Sequence, residues 1–197
     1  MASILDILPT VALADHLSGR RRPVDLCRVC ALPDDGTRYE VIAGVLYMAP
    51  APGTNHQATS ARLVTYLVTH IEFAGLGRVF AAPIDVELAP DTVVQPDIIV
   101  ILSTHQSIIT PSRIVGAPDL VVEIASPSTA GYDRREKQDA YAAAGVSEYW
   151  IVDPHAQTVE VLHLDRNVYR SRGVFRGQAQ LPSMVVPTLP VPVGQFF

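Results

Sequence analysis

One stretch of the chain decides the fold: Pro118-Asp119-Leu120-Val121-Val122-Glu123-Ile124-Ala125. Its β-branched and aliphatic residues predict a strand that is buried on both faces of a sheet. Glu123 interrupts that run, and Asp97 interrupts a second run, Val93-Val94-Gln95-Pro96-Asp97-Ile98-Ile99-Val100. A charge in such a place must be paired, bound to a metal or functional, because burying an isolated charge is costly. Asp97 and Glu123 are therefore the first candidates for chemistry.

A lysine follows the two carboxylates on a predicted helix. Residues 133–144 contain strong helix formers and no breaker, and Gly145 stands where a C-cap is expected. Magnesium usually takes one or two protein carboxylates together with waters and phosphate oxygens. A lysine beside it, here Lys137, can polarise the attacking water or offset charge in the transition state. Asp97, Glu123 and Lys137 together predict a metal-assisted phosphodiesterase site.

Each of these three residues also has an ordinary structural interpretation. Asp97 would be a strand-end residue and Lys137 a solvated helix charge. Glu123 would pair with Arg134 or Arg135. This interpretation suits each residue alone better than it suits all three together. The sequence neighbours of Glu123 are apolar, and an ordinary surface salt bridge is not expected among them.

Length, composition and charge limit the possible organisation. The chain has 197 residues, of which 48% are hydrophobic, and this suits one domain with a full core. We expect an N-terminal helix or arm over residues 1–30 and a single domain over residues 31–197. The formal net charge of -5 gives no general attraction to polyanions. Nucleic-acid binding would therefore need a local basic face or metal-mediated phosphate contacts.

The hydropathy pattern predicts a cytoplasmic protein with no membrane segment. No apolar run approaches the roughly 20 residues of a membrane span, and the N-terminus lacks the features of a signal peptide. Cys27 and Cys30 form a single CxxC, which supplies half of a four-cysteine zinc site. Two reduced thiols are the favoured interpretation of this pair.

Periodicity and breakers predict strands alternating with two long helices. The first predicted elements are a hairpin over 39–48, which turns at Ala43-Gly44, and a helix that is capped by Thr54 or Asn55 and ends near Gly75 and Gly77. Strand-like runs follow over 78–88, 93–102 and 120–124. The helix over 133–144 comes next, and the last predicted strands are 148–154, 158–164 and 168–175. The runs over 78–88 and 93–102 are expected to pair antiparallel. Residues 103–118 are expected to form a loop with one helical turn around Gln106, and residues 182–197 an extended tail.

These motifs resemble those of a known family, Uma2. The resemblance is carried by Gln95-Pro96-Asp97, by residues 116–129, by the helix with Glu136-Lys137 and Tyr141, and by residues 144–154. It extends from about Tyr39 to Leu164. It implies an α/β (α+β) protein with the restriction-endonuclease-like PD-(D/E)xK fold, in which helices flank a mixed central sheet, here with an extra N-terminal arm.

The resemblance also implies roles for individual residues. Asp97 takes the place of the family's metal-binding aspartate, and Glu123 takes that of the second acidic ligand. Many such nucleases keep a lysine two positions after the second acid, where this chain has Ala125, so the lysine's role passes to Lys137. Glu40 corresponds to an N-terminal acidic position that reaches the metal.

Three further residues are candidates for a supporting role. His56 stands where relatives commonly have a histidine, and it could contact a phosphate or act as a capping or partly buried residue. Gln138 could orient a water or a phosphate. Glu87 could join the outer part of the site, although solvent is its expected destination. Tyr141, one turn after Lys137, could also orient a water or a phosphate, but packing is the favoured interpretation.

The resulting hypothesis is an endonuclease that needs Mg²⁺ or Mn²⁺ and hydrolyses phosphodiester bonds in DNA, with a homodimer expected. The chain departs from the family at Ala43-Gly44-Val45, where relatives often have Asp-Gly-Glu. Two alternatives therefore stay open. One is a catalytically silent scaffold or partner-binding protein, and the other is a metal-dependent hydrolase of small phosphoesters. A groove bordered by Arg113, Arg134 and Arg135 would favour DNA.

Overall fold

The computed structural model describes residues 38–49, 51–125, 133–187 and 189–197. The predicted N-terminal arm, with Cys27 and Cys30, lies outside the described residues, and so does the boundary predicted after residue 30. The strands are β1 (Arg38–Ile42), β2 (Val45–Ala49), β3 (Gly77–Ala81), β4 (Val86–Ala89), β5 (Thr92–Val94), β6 (Ile98–Leu102), β7 (Ile114–Val115), β8 (Leu120–Ile124), β9 (Glu148–Asp153), β10 (Thr158–Asp165) and β11 (Val168–Arg176). The α-helices are α1 (Thr54–Leu67) and α2 (Asp133–Ala144).

A mixed six-stranded sheet forms the centre of the fold, in the order β11-β10-β9-β8-β6-β3. Strands β8 and β9 run parallel, and the other neighbours are antiparallel. Val122 of β8 packs in one hydrophobic cluster with Leu63 of α1, whereas Val121 packs in a second cluster with Tyr141 of α2. Successive strand residues face opposite sides of a sheet. The prediction that residues 120–124 form a strand buried on both faces is therefore confirmed.

A second sheet has five strands in the order β2-β1-β5-β4-β7. The predicted runs over 78–88 and 93–102 each break into two strands, and each run contributes one strand to each sheet. The expected antiparallel pairing is confirmed in both sheets. The breaks fall at Pro83 and Pro96, because proline has no N–H to donate to a strand ladder. Asp97 thus lies where the chain crosses from one sheet to the other.

Both predicted long helices are present, with differences at their ends. Helix α1 continues as a π-helix over Val68–Glu72, and its N-cap is Gly53 rather than Thr54 or Asn55. Glycine is an accepted N-cap because its backbone adopts the required conformation freely. Helix α2 ends as predicted at Gly145, whose φ of 90° favours glycine.

The irregular segments contain short elements that the sequence did not indicate. The loop after β6 has the predicted helical turn, a 3₁₀-helix over Ser103–Ile108, but it also contains strand β7. The C-terminal tail was predicted to be extended, but its described residues contain bends at 184–186, a turn at 187 and a 3₁₀-helix over Val193–Phe196. Within the described part of the chain, every helix is too short or too polar to cross a membrane.

Candidate active site

Sheet pairing brings the two predicted metal-binding carboxylates together. Ile98 of β6 pairs with Val122 of β8, so one further step along the two strands places Asp97 opposite Glu123. Directly opposite residues of an antiparallel pair point to the same face. The N–H of Ile124 donates to Oδ2 of Asp97 at 2.8 Å, which fixes the aspartate against β8.

Lys137 joins this pair to the five-stranded sheet. Its ammonium nitrogen lies 2.8 Å from Oε2 of Glu40 on β1 and 3.2 Å from Oε1 of Glu123 on β8. Glu40 is only 1% exposed, and its Oε1 accepts a hydrogen bond from the N–H of Gln95 at 2.7 Å. Four elements of the fold therefore meet here, and the predicted residues Asp97, Glu123, Lys137 and Glu40 form one cluster.

Asp97 is buried and surrounded by donors. Burial alone would raise its pKa, but the hydrogen bond and charge of His56 outweigh that effect, helped by the Ile124 N–H and Arg38, so the pKa lies below the usual range. Nε2 of His56 donates to Oδ2 at 3.1 Å, and Arg38 lies 3.4 Å from Oδ1. Asp97 is therefore held as a carboxylate over most of the pH range.

Glu123 has the opposite electrostatic environment. The pKa of its carboxyl group is raised to about 7, chiefly by burial and also by the neighbouring carboxylates of Asp97 and Glu40, against the lowering effects of Lys137 and of the Tyr141 hydrogen bond. Burial disfavours the charged form of a carboxyl group, and nearby negative charge adds to that effect. Within one cluster, the pKa of Asp97 is therefore lowered and the pKa of Glu123 is raised. Perturbed pKa values of this kind are frequent at functional sites.

The donor set fits a small divalent cation. Asp97 and Glu123 supply hard oxygen atoms side by side, and magnesium typically needs only one or two such residues besides waters and substrate oxygens. Burial is the main cause of the raised pKa of Glu123, and the charges of Asp97 and Glu40, which a cation would offset, raise it as well. A cage made of protein ligands alone is absent, since the described residues contain no group of three or more histidine, cysteine, aspartate or glutamate side chains arranged to hold a metal.

The supporting candidates lie in different places. His56 is 12% exposed in its side chain and contacts Asp97 directly, so it is part of the cluster. Gln138 is half-buried beside Lys137 on α2. Glu87 is on β4 and forms an ion pair with Arg113 at 2.7 Å, in the five-stranded sheet. Glu123 pairs with Lys137 rather than with the exposed Arg135 that the structural interpretation suggested.

The sequence interpretation did not predict two contacts in the cluster, one made by Tyr141 and one by Arg38. Tyr141 does pack, as expected, but its hydroxyl also donates to Oε1 of Glu123 at 2.7 Å. Its position four residues after Lys137, on the same helix face, was the available signal. Arg38 contacts Asp97 and also donates to the carbonyl oxygen of Gln95. No local pattern indicated Arg38, because its partners are distant in sequence.

Comparisons with known proteins agree with this architecture. A family model described as "Uma2: Putative restriction endonuclease" matches residues 25–194. A solved structure with a TM-score of 0.75 is described as a putative nuclease belonging to DUF820 from Anabaena variabilis ATCC 29413. The match covers 89% of this chain and 98% of that chain at 23% sequence identity, and it supports the restriction-endonuclease-like fold. No curated protein matches the chain.

Proposed function

Because the chain belongs to the Uma2 family, we propose that it is a metal-dependent endonuclease that hydrolyses phosphodiester bonds in DNA. The observation that carries the proposal is the position of Lys137, whose ammonium group contacts both Glu40 and Glu123 while Asp97 lies opposite Glu123. Metal-assisted hydrolysis of a phosphodiester needs carboxylates that can hold a metal ion next to the phosphate, and a lysine close to them.

In this proposal Asp97 and Glu123 hold Mg²⁺ or Mn²⁺. The cation, when bound, offsets negative charge on the phosphate and polarises its oxygens. His56 and the Ile124 N–H orient Asp97, and Tyr141 orients Glu123. These contacts fix the two carboxylates before substrate arrives, which lowers the reorganisation that catalysis requires.

Lys137 acts on the reacting groups in this proposal. Glu40 positions its ammonium group through the 2.8 Å contact, and the backbone of Gln95 in turn positions Glu40. From there Lys137 donates to the attacking water or to the developing negative charge on phosphorus oxygens. A homodimer would present two such sites to the two strands of a duplex, and this also remains a proposal.

The test is cleavage of supercoiled and single-stranded DNA by purified protein in Mg²⁺ and in Mn²⁺. Wild type is compared with Asp97→Asn and Lys137→Met, and the matched control is Glu72→Gln. Glu72 is also a carboxylate in an ion pair, with Arg78 at 3.0 Å, but it lies outside the cluster. We expect cutting to fall by roughly a hundredfold or more in the two cluster variants and to persist in the control.

Two other outcomes would replace the proposal with an alternative. If folded wild type cuts no DNA and calorimetry detects no Mn²⁺ binding, the chain is a catalytically silent scaffold. If it hydrolyses bis(4-nitrophenyl) phosphate in a manner dependent on Asp97 but leaves DNA intact, it is a small-phosphoester hydrolase.

A further inference from the structure

A cavity of about 350 Å³, which we call the Gln95 cavity, lies next to the point where the chain crosses between the two sheets. Apolar surface in its wall comes from four side chains: Phe80, Ile84, Ile109 and Ile114. Polar groups come from Asp85, Gln95 and Arg113. Sites for small ligands combine apolar walls with a few placed polar groups and typically measure about 300 to 1,000 Å³. The Gln95 cavity therefore has room for one small ligand.

The polar side chains of the cavity have hydrogen-bonding capacity to spare. Oδ1 of Asp85 accepts from Nε2 of Gln95 at 2.8 Å, and Nε of Arg113 donates to Glu87 at 2.7 Å. Within the part of the chain that the structure describes, Oδ2 of Asp85 and the two terminal nitrogens of Arg113 have no partner. Oε1 of Gln95 is buried without one. Two acceptors and one group of donors are thus left for a ligand.

Gln95 joins this cavity to the candidate active site. Its backbone N–H donates to Glu40 at 2.7 Å and its carbonyl accepts from Arg38, whereas its side chain lines the cavity. Strand β5, which precedes Gln95, lies between β1 with Glu40 and β4, which follows Asp85. Those outer strands are two strand spacings apart, about 10 Å. A ligand in the cavity would therefore lie beside the proposed site of cleavage.

The cavity's chemistry favours a nucleobase over a bare phosphate. The carboxylate of Asp85 repels an anion and can only accept hydrogen bonds, whereas the guanidinium of Arg113 can only donate them. Guanine presents two adjacent N–H donors next to a carbonyl oxygen, which matches two acceptors and one donor group. Proteins hold unpaired bases in this way, with hydrogen bonds to the pairing edge and apolar or aromatic side chains against the ring.

A purely structural role explains only part of this arrangement. The bond between Asp85 and Gln95 ties the segment before β4 to the segment after β5, and the ion pair of Arg113 with Glu87 ties β4 to the loop before β7. Each of these contacts uses one atom of a side chain that has more to offer. Buried polar atoms without a partner are rare in folded proteins.

We propose that the Gln95 cavity binds an unpaired guanine base of the substrate strand, with the N–H donors of the base on Asp85 and Gln95 and its carbonyl oxygen on Arg113. The inference rests on the proposed function, because it names the part of the nucleic acid that is held next to the cleaved phosphodiester. It would give the enzyme a preference for strands in which a guanine is free to leave the base stack.

The test is an NMR titration of the ¹⁵N-labelled full chain, in EDTA, with the 5′-monophosphates of deoxyguanosine, deoxyinosine and deoxyadenosine and with deoxyribose 5-phosphate. The sugar phosphate is common to all four, so differences in affinity report the base. We expect the guanine nucleotide to bind most tightly and to shift the amide signals of Gln95 and Arg113. Deoxyinosine lacks the exocyclic amino group and should bind roughly tenfold more weakly, because one hydrogen bond to the acceptors is lost.

Asp85→Asn is the decisive variant. The amide oxygen of asparagine can still accept from Gln95, but an NH₂ group replaces the free carboxylate oxygen, so binding of the guanine nucleotide should fall roughly tenfold or more. The matched control is Asp153→Asn. Asp153 is also a half-buried carboxylate that accepts hydrogen bonds, from the N–H groups of His155 and Ala156, but it lies outside the cavity.

Each outcome decides the inference separately from nuclease activity. Guanine-selective binding that Asp85→Asn loses and Asp153→Asn keeps supports it, even if wild type cuts no DNA with metal. Equal affinities for the four ligands, no binding at millimolar concentration, or an equal loss in the control overturns it, even if wild type is an active nuclease. If Asp85→Asn does not fold, the order of affinities in wild type and the position of the shifted amides decide.

Discussion

The hydroxyl of Tyr141 donates to Oε1 of Glu123 at 2.7 Å, the same oxygen that Lys137 contacts at 3.2 Å. Two residues of one helix, a single turn apart, therefore converge on one carboxylate of the neighbouring sheet. The tyrosine is fully buried, and burial together with the charge of Glu123 raises its pKa well above 10, so the hydroxyl stays protonated and can only donate the shared proton.

Replacement of Tyr141 by phenylalanine is expected to raise the pKa of Glu123 further above its ordinary value. The Tyr141 hydrogen bond favours the ionised carboxylate and so lowers the pKa of Glu123, whereas burial raises it. Without that hydrogen bond, less of the effect of burial is offset. The pH midpoint of Mn²⁺ binding, measured by calorimetry, should move to higher pH by roughly half a unit to one unit. Tyr169→Phe is the control, because Tyr169 donates to the carbonyl of Val146 and does not contact Glu123. An unchanged midpoint in Tyr141→Phe would contradict this account.

Glu123→Gln is expected to stabilise the metal-free protein above neutral pH. The pKa of Glu123 is raised from 4.5 to about 7 in the folded state, so its contribution to stability is fully present below pH 4.5 and is lost as pH rises through 7. A neutral glutamine avoids that loss, which is of the order of a few kcal/mol. Thermal melts in EDTA should show the variant more stable than wild type at pH 8 and similar to it at pH 4.5. A variant less stable than wild type at pH 8 would contradict the prediction that ionised Glu123 destabilises the folded protein.

His56→Ala is expected to make the protein more sensitive to acid. The pKa of Asp97 is lowered in the folded state despite its burial, chiefly by His56, so the stability from this carboxylate is present above its ordinary pKa and is lost as pH falls through the folded value. Without His56 the pKa of Asp97 in the folded protein rises. Acid unfolding, followed by circular dichroism, should therefore begin at higher pH. His155→Ala, at an exposed turn, should leave the acid midpoint unchanged.

Glu148→Ala is expected to destabilise the fold strongly. Glu148 is fully buried and accepts hydrogen bonds from Nε1 of Trp150 at 2.6 Å and from the N–H groups of Met184 and Val185, which fix the C-terminal tail to β9. The substitution leaves these donors unsatisfied, at a cost of about 3 to 5 kcal/mol. Urea unfolding measures the loss. Asp165→Ala, at a largely exposed carboxylate, is the comparison, and a similar loss there would argue against the tail anchor.

Much of the secondary structure was predictable because its signals are local. The strand containing Glu123 and the helix containing Lys137 both follow from runs of residues with the right propensity, and their predicted positions are confirmed. The division of the chain between two sheets was not predictable in this way. The prolines at 83 and 96 indicated breaks, but strand pairing depends on which distant segment lies alongside.

The sequence by itself determined that Asp97 and Glu123 are unusual, because a charge that interrupts a buried strand must be paired, bound to a metal or functional. Only the tertiary structure decided that Glu40 shares the Lys137 ammonium group and that Arg38 and His56 hold Asp97. The opposite pKa shifts of Asp97 and Glu123 likewise depend on which charges pack against each carboxylate. Residue type and spacing act within a few positions, whereas desolvation and Coulomb interactions act between groups that only the packed fold brings within a few ångströms.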